Sequence, residues 1–139
     1  MDQGRQRRCY AVLALVCGIV GLAGGGSFAA LGVWFSVVEP AYLGRASRLW
    51  IGGWGGAGLI GIAAWLWLSG RYLRHGRAGL RDSTVWPWLG LGLGALAALA
   101  VVGISLWQAF KGSPAALMLL LIGPPVLPPA AALSFLRWR

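Results

Sequence analysis

The amino-acid sequence predicts an all-α, polytopic membrane protein with four transmembrane helices. Two observations carry the prediction. Hydrophobic residues form 58 % of the chain and charged residues 11 %, whereas soluble domains carry about 25 % charged residues. The charges are also gathered into short clusters, with charge-free runs of at least twenty residues between them. That is the length a helix needs to cross a hydrocarbon core of about 30 Å. The spans are expected at about 10–37, 49–70, 85–107 and 114–136, as one domain over residues 1–139 with no sizeable soluble part.

The first span follows Arg5, Arg7 and Arg8, and its charge-free run covers residues 9–38. A basic start before an apolar run also describes a signal peptide, and Ser27-Phe28-Ala29 offers a small-x-small cleavage site. The run is far longer than the 7–15 residues of a signal core, so a retained span is expected. Thirty helical residues reach about 45 Å at 1.5 Å per residue, which calls for a bend or tilt. Gly24-Gly25-Gly26 is the natural place for one. Ala14, Gly18, Gly21, Gly25 and Gly32 fall on one face at helical spacing, and such a stripe lets another backbone approach closely in lipid.

Glu39-Pro40 ends the first span. The second opens with the small-residue pair Gly52 and Gly56. The longest polar stretch, residues 71–82, then holds Arg71, Arg74, Arg77 and Arg81. It is expected to be a loop touching anionic lipid headgroups, each Arg near the surface contributing about 1 kcal/mol. If helical, it would instead form an amphipathic turn with Leu73 and Leu80 to one side of the arginines. Asp82-Ser83-Thr84 is suited to cap the third span, and Pro87 fits a first helical turn, where its missing N–H costs nothing. Gly90 and Gly94 form a further small-residue pair. The fourth span contains Pro124, Pro125, Pro128 and Pro129. Each removes a backbone donor, so a broken or sharply kinked helix covered by protein is expected.

The net charge of +9 does not point to nucleic acid, because the cations sit at the ends of apolar segments, where topology signals belong. With the N-terminus inside, nine Lys and Arg residues lie inside and three outside: Arg5, Arg7, Arg8, Arg71, Arg74, Arg77, Arg81, Arg137 and Arg139 against Arg45, Arg48 and Lys111. Both termini are therefore expected in the cytoplasm. Tryptophans 34, 50, 54 and 107 then mark the outer interface and 65, 67, 86, 88 and 138 the inner one. The preference for Arg over Lys, with much Gly and Ala, suggests a GC-rich bacterial genome and hence an inner membrane.

The chemistry-bearing residues are sparse. No Asp, Glu, Lys, Arg or His falls inside any expected span, and such residues are what normally mark proton or ion paths. Glu39 is a boundary residue. His75, Cys9, Cys17 and Met118 do not make up a standard ligand set, so no metal or cofactor site is expected. Cys9 and Cys17 would lie about 12 Å apart along one helix, too far for a disulfide. Gly92-Leu93-Gly94-Ala95-Leu96-Ala97 matches a dinucleotide pattern, but outside the βαβ context that gives it meaning. No catalytic constellation is visible. The expected function is a non-catalytic integral subunit that packs against other membrane subunits, a respiratory or photosynthetic assembly being one class of host. The alternative is a small homo-oligomeric channel or transporter.

Overall fold

The computed structural model describes residues 3–38, 44–112 and 127–138. Every regular element among them is helical. Helix α1 (Gln3–Gly21) passes through a π-helical turn (Leu22–Gly26) into α2 (Ser27–Val38); α3 is Arg45–Arg81, α4 is Val85–Phe110 and α5 is Leu127–Trp138. Among the described residues three helices are long and apolar enough to cross a membrane: Gly4–Val38, Arg45–Arg81 and Val85–Phe110. This is the pattern of a helical membrane protein.

The π-helical turn coincides with the expected bend. Leu22–Gly26 ends in the three consecutive glycines, the residues with least to lose from an irregular backbone. Helix continues on either side of it, and the Ser27 N–H donates to the Gly24 carbonyl. Local π-turns of this kind are a recognised way to bend a long helix.

Residues 71–82 differ from expectation. They are not an open loop: α3 runs through Arg71 and Arg74 and ends only at Arg81. Arg, Leu and Tyr all sustain a helix, and the interruption is a single residue, Gly76, with φ 67° and ψ −148°. Only glycine adopts such a backbone without a steric penalty. Past it the chain turns back on α3, and a Cβ on Gly79 would lie 3.0 Å from the Arg71 carbonyl oxygen. Leu80 is accordingly not lipid-facing. It is fully buried, while Leu73 remains 42 % exposed.

The third span begins as expected at Val85, with Pro87 in its first turn. Thr84 is extended and makes no side-chain cap bond. Ser83 is used differently: its hydroxyl donates to the Leu80 carbonyl at 2.6 Å and accepts from Trp88 Nε1 at 2.7 Å, tying the end of α3 to the start of α4.

Of the expected fourth span, the described part is α5, in which Pro128 and Pro129 lie in the first turn, a position that tolerates proline. Pro124 and Pro125, and the expected span from residue 114 to 126, lie outside the described residues.

Helix α3 is the hub, packing against α1, α2, α4 and α5, while α5 also touches α1 and α4. The core gathers where α5 meets the other helices: Tyr10, Trp65, Leu68, Tyr72, Leu80, Leu91, Ala130 and Leu133. Tyr10 and Tyr72 meet edge to face, ring centroids 5.0 Å apart, and the Tyr10 hydroxyl is 2.6 Å from Ser69 Oγ. A polar pair satisfied in this way is the form in which polar side chains are tolerated between helices in lipid.

Candidate functional site

The structure gathers several of the sequence's basic residues at one end of the bundle. Arg7 of α1 lies with its guanidinium against Gly76. Beside it, Arg77 Nη2 donates to Gln6 Oε1 at 3.1 Å. Arg71 stacks over the Trp67 ring at 4.9 Å and Arg137 of α5 over Trp88 at 4.6 Å. Arg74, Arg81 and His75 are exposed. Of the four arginines expected at lipid headgroups, Arg71 and Arg77 are thus held by the fold, and Arg74 and Arg81 stand free at its rim. Arg7 and Gln6 join them, which no local sequence pattern announces because they are some seventy residues away.

At the opposite end, Arg48 Nε donates to the Ser36 carbonyl, which ties α3 to the end of α2. Lys111 stacks over Trp107 at 5.0 Å. Trp34, Trp50 and Trp107 are exposed at this end, and Trp67 and Trp86 near the other. Trp65 and Trp54 serve packing instead. Trp65 is 3 % exposed, with its ring in the space left by Gly18. Trp54 Nε1 donates to the Ala97 carbonyl of α4 at 3.1 Å.

The glycines sort into contact and non-contact positions. Gly18 meets Trp65, Gly52 lies under Ser36, and Gly90 and Gly94 face α3. At Gly94 the backbones themselves touch: a Cβ there would lie 2.5 Å from the Gly61 Cα. Gly56 meets nothing within 4 Å, so Gly52 and Gly56 do not form one packing face. The adjacent Gly55 does the work expected of Gly56, a Cβ on it falling 2.6 Å from the Ala29 carbonyl. Gly55 and Gly61 escape a sequence reading because the decisive neighbour lies on another helix.

Between the helices is a cavity of about 100 Å³. Gly21 and Gly25 line one side, Gly58 and Gly61 of α3 and Ala97 and Ala98 of α4 the others, with Leu127 and Ala130 at the start of α5. The lining is almost wholly apolar. The polar side-chain group in it, the Trp54 indole N–H, is already spent on Ala97. Such a space accepts hydrocarbon and offers nothing to hydrate an ion. Among the described residues, no group of three or more His, Cys, Asp or Glu side chains comes together as a metal site.

No protein-family model, curated protein or solved structure matches the chain.

Proposed function

We propose that this chain is a non-catalytic integral subunit of a larger membrane complex, set in a bacterial inner membrane with both termini in the cytoplasm. The observation that supports it best is the cavity, an apolar space among glycines and alanines with no free polar group in its lining. An uncharged space lined by small apolar residues takes an apolar group, such as a lipid chain or a side chain from a neighbouring helix. It disfavours a polar conduction path, for which groups that replace an ion's hydration are needed. Large apolar side chains exposed along α2, among them Leu31, Trp34 and Phe35, present further surface to lipid or to a partner. The orientation is supported by Arg7, Arg71, Arg77 and Arg137 meeting at one end, with Arg48 and Lys111 at the other. Cationic ends favour the cytoplasmic side.

Affinity purification of the tagged chain from its native membrane in mild detergent, followed by mass spectrometry, tests the role. Other integral membrane proteins are expected in fixed stoichiometry. Recovery of the chain alone, together with solute flux after reconstitution into liposomes, would support the channel reading instead. For the orientation, a reporter fused after Arg139 is expected to be active in the cytoplasm, and activity only outside it would reverse the assignment.

A further inference from the structure

We infer that the junction between α1 and the Gly76 turn of α3 is a discrete binding site for the phosphodiester of one anionic phospholipid, held by Arg7 and Arg77. The inference rests on the membrane-spanning reading of the chain and stands whether or not a partner subunit is found.

Two guanidiniums from distant parts of the sequence are drawn to one place. Arg7 lies against Gly76, where any Cβ would collide with it, and Arg77 follows Gly76 directly and is anchored on Gln6. The accepting oxygen of Gln6 is thereby taken, which leaves its amide N–H₂ as a further donor beside the two cations. The Nε atoms of both Arg71 and Arg77 are buried without a hydrogen-bond partner. Partly buried guanidiniums are costly unless an anion answers them. Asp82 is the one carboxylate among the described residues, and it is exposed. Even counting both Asp2 and Asp82, the sequence supplies two acids against the nine cations assigned to this end. An oxyanion matched to planar guanidinium donors is the missing partner.

The surroundings favour a lipid as its source. Arg8, one residue on, heads an exposed helical stripe of Val12, Leu15, Val16 and Ile19. A phosphate held at Arg7 and Arg77 would let acyl chains lie along that stripe, as charge at the head of an apolar face is the arrangement of an interfacial lipid site. Exposed Trp67 and Trp86 belong to the same interfacial level. With no carboxylate bonded to Arg7, Arg77 or Gln6 among the described residues to receive an ammonium, the site favours a glycerol-type anionic headgroup over an ethanolamine-type zwitterion.

The test uses the full-length chain, reconstituted with equal amounts of phosphatidylglycerol and phosphatidylethanolamine and released for native mass spectrometry. One phosphatidylglycerol is expected to remain bound in preference to phosphatidylethanolamine. Arg77→Gln should lower its retention about fivefold, the effect of one surface cation. Arg7→Gln should do the same, and Arg45→Gln, at the other end, should leave it unchanged. Because Arg7 packs on Gly76, helicity of each variant is checked by circular dichroism, and Arg77→Gln alone decides if Arg7→Gln unfolds. Equal retention of the two lipids, or an Arg45→Gln loss as large as that of Arg77→Gln, would overturn the site. Displacement by millimolar inorganic phosphate would make free phosphate the ligand and overturn the lipid assignment. So would occupancy of Arg77 by an acidic partner protein in place of lipid. Loss of every partner subunit with the lipid retained would count against the accessory role and leave this site standing.

Discussion

Gly61 and Gly94 set how closely α3 and α4 approach. With the two Cα positions near enough that a Cβ on Gly94 would fall 2.5 Å from the Gly61 Cα, any side chain at either must push the helices apart. Gly56 sits on the same helix as Gly61 with open space around it. Gly61→Leu should therefore destabilise the bundle by at least the roughly 1–3 kcal/mol typical of overpacking, whereas Gly56→Ala should be neutral or stabilise by up to about 1 kcal/mol through helix propensity. Thermal unfolding in detergent distinguishes them, and equal effects would show that α3 and α4 do not meet at this register. The local sequence cannot separate these two glycines. Both lie in the same Gly-rich run, and only the residue across the interface decides which one must be small.

The π-helical turn is the feature of the elements with the largest consequence. Gly18 faces Trp65 on one side of it, and Gly32 faces Gly55 and Ile51 on the other, so a single partner helix, α3, is met both above and below the turn. Deleting Gly25 would rotate one half against the other by about 100°, the step of one helical residue. Gly18 and Gly32 could then no longer both face α3. The expected result is retained helix content with a clearly lowered unfolding temperature; an unchanged temperature would mean that the turn carries no register. An irregular backbone at this point was legible in the sequence, since the charge-free run of residues 9–38 contains three consecutive glycines. That the basic stretch would remain helical was not. Its arginines, tyrosine and leucines support either a loop or a helix, and the choice is made by Gly76 reversing the chain so that Leu80 reaches the core.

At the scale of the molecule, charge and packing are divided between the two ends. The end bearing Arg7, Arg71, Arg77 and Arg137 also holds the core of Tyr10, Leu68, Tyr72, Leu80 and Leu133. The region around Gly25, Gly58 and Ala98 lines the apolar cavity. The charge division was visible from the order of cations and apolar runs alone. The approach of Arg7 to Gly76 and of Gln6 to Arg77, and the cavity itself, required separate chain segments to be placed side by side, which no periodicity within one segment encodes. A chain built in this way keeps its charges at the ends and offers hydrocarbon-compatible surface between them, the arrangement of a membrane-spanning helical protein. The most direct measurement is the mass of the smallest particle that contains the chain when the native membrane is extracted under mild conditions. The account predicts a particle well above the 14.6 kDa of the chain with other polypeptides in fixed ratio. A particle of that mass, or a whole-number multiple of it containing this chain alone, would contradict it.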